Sequence, residues 1–197
     1  MQESRARRAG SRGEKSSTVQ LRIGEDCEEN GLKPLASALM LLKRVRRSGW
    51  LDAGVRQPES VADHSFSLAV LAMVEAEKRG LDCLKAVKMA LIHDIPESYT
   101  GDLTPRIKKR IPAKLLESVE TSVLKQLFAE LGPKHAEEVV NVYREYLKDC
   151  SPEARLVHML DKKEMMLEAC WLMHSQRVDL RKFAFRRHGF IPRFRSR

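Results

Sequence analysis

Apolar positions along the chain recur at steps of three and four, and no stretch alternates apolar and polar residues for long enough to make a strand. Leu35, Leu39, Leu42 and Val45 predict a helix from Leu32 to about Arg47. Lys43, Arg44, Arg46 and Arg47 crowd its C-terminal end, where cations complement the helix dipole, and Gly49 is the expected stop. Trp50 to Pro58 reads as a loop. Ser60-Val61-Ala62-Asp63 has the form of a capping box, so Ser60 opens the next helix. From Phe66 to Val74 that helix is apolar on nearly every face, the pattern of a central, buried helix. A further helix spans Leu81 to Asp94, with Leu84, Val87, Leu91 and Ile95 at helical spacing and Pro96 disfavouring its regular continuation. Helices follow at about 112–131, stopped by Gly132-Pro133, and at about 134–148. Ser151-Pro152 supplies an N-cap and first-turn proline for a last helix running to about His174. The expected fold class is all-α.

Composition divides this pattern into three parts. Residues 1–30 are rich in Arg, Ser, Gly and Glu and poor in large apolar groups, and read as a disordered arm. Residues 31–176 form the body, of a size for one domain. Residues 177–197 carry eight Arg/Lys against Asp179 alone, so +7 of the formal net charge of +9 lies in this tail. The basicity is therefore a property of the tail, and the whole-chain charge does not by itself indicate a nucleic-acid partner. Phe183, Phe185, Phe190 and Phe194 alternate with the tail's cations. Aromatics beside cations are one recipe for binding single-stranded nucleic acid; the other reading docks the phenylalanines on the body and leaves the arginines solvated. No run approaches the length of a membrane span and no apolar leader opens the chain, so the expectation is a soluble cytoplasmic protein. Cys27, Cys83, Cys150 and Cys170 form no C-x-x-C pair, and scattered buried thiols in a reducing compartment are expected.

The chemistry begins where an apolar helix runs into a charged pair. Met89-Ala90-Leu91-Ile92 leads directly to His93-Asp94, followed by Glu97 and the turn Gly101-Asp102. Charged groups at the end of an apolar run need partners, and imidazole with carboxylate is a common ligand set for a divalent metal. His64 lies in the first turn of the central helix, and alone it would be a satisfied core or capping histidine. Asp161 lies mid-helix beside an apolar face containing Leu156, Leu160 and Leu167. It has three readings: a structural ion pair, a place on the solvated edge, or a role in metal binding or catalysis. Taken together, His64, His93, Asp94 and Asp161 are four ligands from three helices that can converge on one ion and leave coordination sites open.

Glu59-Ser60-Val61-Ala62-Asp63-His64, Ala90-Leu91-Ile92-His93-Asp94, Glu97, Thr100-Gly101-Asp102 and Leu160-Asp161-Lys162 resemble the HD-domain metal-dependent phosphohydrolases, most nearly their 5'-deoxynucleotidase branch. The similarity covers about residues 32–175. It implies a single HD-domain helical bundle flanked by flexible extensions, and a homodimer. It implies that His64, His93, Asp94 and Asp161 hold one divalent ion, manganese or cobalt. The implied reaction is release of phosphate from deoxyribonucleoside 5'-monophosphates. Glu97 is implied as the acid that orients or deprotonates the attacking water, and Asp102 as a second acid near the leaving oxygen or sugar; on residue type alone they read as a helix-end acid and a turn residue. The family's deoxynucleotidases carry an Arg-Trp pair at the substrate mouth, whereas this chain has Gly49-Trp50. Trp50 is then expected to wall the sugar or base, and Arg47 and Arg56 are candidates to replace the missing phosphate-binding arginine.

Two other readings stand beside this one. The same metal site could serve another nucleotide, as a phosphodiesterase or pyrophosphohydrolase. Alternatively, the chain is a non-catalytic helical module whose basic tail binds nucleic acid.

Overall fold

A computed structural model of the chain describes residues 33–184. The expected N-terminal arm and the tail beyond Ala184 lie outside the described residues. Those described form helices α1 (Lys33–Leu42), α2 (Ser48–Asp52), α3 (Val61–Arg79), α4 (Cys83–Ile92), α5 (Glu97–Thr100), α6 (Pro105–Lys108), α7 (Ala113–Phe128), α8 (Pro133–Leu147), α9 (Pro152–Gln176) and α10 (Arg181–Ala184), with a 3-10 turn at Ala129–Leu131. No strand occurs among the described residues, as the pattern predicts.

The core is built on α3, which packs chiefly against α4 and α9. Small side chains allow close approach of these helices: Ala69, Ala72 and Ala76 of α3 and Ala86 and Ala90 of α4 are all buried. Leu68, Met89, Val157 and Leu160 fill the space between. Truncating such a fully buried leucine to alanine costs roughly 2–5 kcal/mol. A second hairpin, α7–α8, covers this core, and Tyr143 of α8 donates its hydroxyl to Glu120 of α7 at 2.7 Å. Lys85 of α4 bridges Glu145 of α8 (2.7 Å) and Glu153 of α9 (2.9 Å), so one ammonium ties three helices.

The start of α3 follows the sequence closely. Ser60 accepts from the Asp63 N–H, and the Asp63 carboxylate accepts from the Ser60 N–H, a complete capping box. Gly80 ends the helix at φ 64°, a conformation costly for a residue with a Cβ. The outer face of α3 departs from expectation. Phe66 is 68% exposed, and Val70, Met73 and Val74 beside it are exposed too, so α3 is central on one side only. The predicted α4 stripe is likewise displaced: Leu84 and Leu91 are exposed, while Ala86, Met89 and Ala90 face the core.

The first helix is shorter than predicted, ending at Leu42. Its expected last turn is instead pulled into an antiparallel contact: the Val45 carbonyl accepts from the Val61 N–H (2.9 Å), and the Arg47 N–H donates to the Glu59 carbonyl (3.2 Å). Backbone groups committed across the fold cannot also complete a helical ladder. Gly49 consequently does not terminate α1 and lies inside α2, which runs on into the segment from Trp50 expected to be a loop. The short helices α2, α5, α6 and α10, of four or five residues, have no periodicity long enough to read.

At the other end, α9 runs to Gln176 and stops at Arg177, which takes a left-handed conformation with φ 55°. The chain turns back there and packs α10 on α9. Leu180, placed by composition in the tail, is completely buried with Val55, Ala169 and Leu172. Among the described cysteines only Cys170 is buried, while Cys150 is exposed. No helix among the described residues is long and apolar enough to cross a membrane.

Ser60→Ala removes the side-chain half of the capping box at the helix that carries His64. Urea titration should show a loss of about 1–2 kcal/mol of stability.

Candidate metal centre and substrate cavity

Four polar side chains meet where the N-terminus of α3, the C-terminus of α4 and the middle of α9 come together. His64 follows the Ser60 cap by one turn and is completely buried. Its Nε2 lies 3.2 Å from Asp161 Oδ1 and 3.9 Å from Asp94 Oδ2. His93 caps the end of α4, with its ring edge-on to His64 at 5.5 Å. Its Nε2 lies 3.0 Å from Asp94 Oδ2. One ligand atom each from His64, His93 and Asp161 falls within 4.8 Å of the others. The structure thus brings together all four residues singled out as a ligand set in the sequence, with Asp161 half-buried and facing His64.

The far sides of the two imidazoles explain their orientation. His93 Nδ1 donates to the Ala90 carbonyl at 2.8 Å, which turns its Nε2 toward Asp94. His64 Nδ1 lies 2.6 Å from Glu164 Oε2, a contact that likewise turns its Nε2 toward Asp161 and Asp94. Histidine ligands are commonly held by a carboxylate or carbonyl on the opposite nitrogen. Glu164 was not singled out from sequence. The available signal was its position one helical turn after Asp161, which places both acids on one face of α9.

Whether a cation suits this site can be judged from one atom. His64 Nε2 is fully buried and makes no hydrogen bond of acceptable geometry, although Asp161 is near. A buried imidazole nitrogen without a partner is costly, and it is surrounded by the Asp94 and Asp161 carboxylates and the second imidazole, that of His93. This mixed nitrogen and oxygen donor set fits a divalent ion. His64, His93, Asp94 and Asp161 are the residues that would hold it.

Electrostatics point the same way. Burial opposes charge on His64, but the Asp161 and Glu164 carboxylates overcome it and push its pKa up to about 10. Burial also raises the Asp94 carboxyl, yet His93, Arg47 and His64 outweigh it and hold the group well below the usual carboxylate range. A site that holds a proton this firmly on an imidazole is short of positive charge.

Beside the centre opens a cavity of about 300 Å3, within the range of small-molecule sites. Arg47 and Lys108 reach into it, with Nη1 of Arg47 3.3 Å from Asp94 Oδ2. Glu97, only 5% exposed, pairs through Oε1 with Lys108 at 3.2 Å, while its Oε2 has no partner. Burial, then the charges of Asp94 and Asp102, push the Glu97 pKa up to about 8 against the pull of Lys108. The placement of Glu97 follows from the chain: α4 ends at Ile92, and the turn past Pro96 is held by i to i+3 bonds such as Glu97 N–H to Asp94 carbonyl (3.0 Å).

Asp102 also lines the cavity, but its Oδ2 accepts from the Ser48 N–H at 2.6 Å, and its carbonyl accepts from the Ser48 hydroxyl. It therefore fastens the 101–105 turn to α2. Gly49 faces the cavity, and a Cβ added there would meet no heavy atom within 4 Å. Trp50 lines the cavity from behind: it is 2% exposed, and its indole N–H donates to Glu59 at 3.0 Å. Arg56 is not brought to the cavity. It lies exposed on a separate surface, where its backbone N–H donates to Gln176. Lys108 is the cation that sequence reasoning missed, because nothing in a run of Arg106, Lys108, Lys109 and Arg110 distinguishes the one that points inward.

Comparison with known proteins shows what the chain is similar to. The HD domain family model matches residues 39–191. The human protein named 5'-deoxynucleotidase HDDC2 is 37% identical over 143 residues, 71% of this chain and 69% of its own length. The crystal structure of the PH0347 protein of Pyrococcus horikoshii OT3 superposes with a TM-score of 0.64 at 36% identity, covering 76% of this chain and 83% of that one. That of a predicted metal-dependent phosphohydrolase of Magnetospirillum magnetotacticum MS-1 gives 0.56 at 27% identity, covering 72% and 74%.

A cation at this centre competes with a proton for His64, so it binds more tightly as pH rises toward 10, by about tenfold per pH unit for one displaced proton. Titration calorimetry of the metal-free protein with Mn2+ between pH 6 and pH 8 should show this slope and release of about one proton. Glu164→Ala should weaken binding by about 10–100-fold.

Proposed function

The chain belongs to the HD domain family, and from that premise we propose that it is a metal-dependent phosphohydrolase releasing phosphate from deoxyribonucleoside 5'-monophosphates. The observation that carries this reading is the coincidence of a four-residue ligand set with a buried, half-unpartnered Glu97 at the head of one cavity. A structural metal site uses all its coordination positions and has no need of an open cavity or an adjoining acid. The similarity to proteins named 5'-deoxynucleotidase supports the substrate class.

A bound divalent ion, manganese or cobalt in this reading, supplies charge to the phosphoryl oxygens and acidifies water. The residues of the chain supply the rest. Arg47 and Lys108 stand on the cavity side of the centre and take the phosphate oxygens; they fill the role of the arginine that is absent at position 49. Both are already drawn toward carboxylates, so a phosphate entering the cavity exchanges one anionic partner for another rather than stripping a cation of water. Glu97 holds and moves the proton. Its pKa near neutrality and its free Oε2 suit a group that accepts a proton from the attacking water and returns it. Asp102 acts as a positioning residue through its hold on Ser48, keeping α2 and the 101–105 turn in register at the mouth.

The exposed apolar face of α3, with Phe66, Val70, Met73 and Val74 beside Trp171 of α9, supports pairing of two copies of the chain.

The deciding measurement is phosphate release from a panel of deoxyribo- and ribonucleoside 5'-monophosphates with added Mn2+ or Co2+. Glu97→Gln should lower kcat by about 10²–10⁴ while metal stoichiometry is retained. Asp161→Ala should lose the metal itself. No release with any metal or substrate, together with an inert Glu97→Gln, would sink the enzymatic reading. Because the space at Gly49 is open, Gly49→Arg should fold and lower KM for the nucleotide by about tenfold, the order of one charge-assisted contact.

A further inference from the structure

We propose that Phe183 of α10 is a specificity-determining residue: its ring forms the surface on which the base of the nucleotide stacks. This rests on the reading of the cavity as a nucleotide site.

The cavity's lining is of two kinds. His93, Asp94, Asp161, Glu97, Arg47 and Lys108 are polar or charged, whereas Trp50, Met165 and Phe183 form an apolar group packed together. A nucleoside monophosphate has the same division, an anion at one end and a flat aromatic ring at the other. Of the two aromatics in the apolar group, Trp50 is the one that sequence suggests, but its indole is almost wholly covered and its N–H is committed to Glu59. Phe183 stands over it, centroids 4.8 Å apart and planes inclined at 66°. An edge-to-face contact of this kind braces Phe183 with its neighbour's ring, while the partly buried Phe183 still lines the cavity. The exposed Lys182 places its Nζ over the Phe183 ring itself, 4.8 Å from the centroid, so a stacking base takes the opposite face or displaces this ammonium.

The segment is built to hold this ring in place. Arg177 reverses the chain at the end of α9, and Leu180 is completely buried beside Val55 and Leu172. Asp179 accepts from both the backbone N–H (3.1 Å) and the guanidinium of Arg181, and the Phe183 N–H closes on the Leu180 carbonyl at 2.8 Å. Three residues after this fully buried anchor, the phenyl ring is partly buried against Trp50. Stacking on an aromatic face is tolerant of sequence because every base has a π-face. The assignment therefore implies binding of a base with little discrimination among bases.

The test compares 2'-deoxyadenosine 5'-monophosphate with 2-deoxyribose 5-phosphate, which presents the same ester without a base. In Phe183→Ala the preference for the nucleotide, read as the ratio of the two kcat/KM values, should fall by about tenfold, through KM rather than kcat. Phe183→Trp should restore it. A binding readout stands apart from turnover. In a Trp171→Phe background Trp50 is the one remaining tryptophan, and its emission should shift on adding the nucleotide in the Phe183 protein and not in Phe183→Ala. Equal losses on both substrates, or an unchanged ratio, would overturn the assignment. A parent protein that turns over the sugar phosphate but shows neither preference for the nucleotide nor a Trp50 response overturns it too, while leaving a phosphohydrolase. One that hydrolyses neither compound yet gives the Phe183-dependent emission shift supports the stacking surface and removes the enzymatic reading.

Discussion

Everything at the centre depends on how one imidazole is held. His64 is completely buried, with acids of α9 on both of its nitrogens, and those acids, Asp161 and Glu164, are one helical turn apart. Burial of a lone charge is prohibitive, so neither the histidine nor the carboxylates could occupy this position without the others. The alanine-lined contact of α3 with α4, the packing of α9 across both, and the capping box that starts α3 serve to bring these groups within reach. The excess of carboxylate that remains suits a divalent cation there. Glu97 beside it has its pKa raised first by burial and then by the charges of Asp94 and Asp102.

Much of this could be read from the residues in order. The capping box, the Ser151-Pro152 start of α9 and the Gly132-Pro133 break are local devices, specified within four residues, and the structure has them where the sequence puts them. The residues that converge at the centre were also legible, because His64, the His93-Asp94 doublet and Asp161 are polar groups set against apolar runs. What was not legible depends on contacts distant in sequence. The last turn of α1 is lost to pairing with residues 59–61, and no helical propensity anticipates that competition. Arg56 and Lys108 are indistinguishable as basic residues near the motif, and only the fold sends one away and turns the other inward. Glu164 was hidden for a different reason: an acid on a helix with many charges draws notice only once its histidine partner is known.

The charge distribution carries a related lesson. The strongly basic tail invites a reading of its own, yet its first eight residues contribute to the body, with Leu180 in the interior and Phe183 against Trp50. Composition marks a boundary at Arg177 because cations begin to cluster there. Packing does not respect that boundary, since one buried leucine outweighs several solvated arginines in deciding where a segment lies.

The antiparallel contact between residues 45–47 and 59–61 has a consequence for how this fold can vary. It pins both ends of the intervening segment to each other, so that Arg47 and Glu59 are fixed whatever the chain does in between. Closing a longer excursion between pinned ends costs only about 0.6 kcal/mol for each doubling of its length. Trp50 and Val55 are anchored in the interior, whereas Gly54, Arg56 and Gln57 are exposed at the tip. Residues can therefore be inserted or lost beyond Val55 without altering the distance from Arg47 to Asp94. Added length there would be accommodated at little thermodynamic cost, beside a centre whose geometry it leaves unchanged.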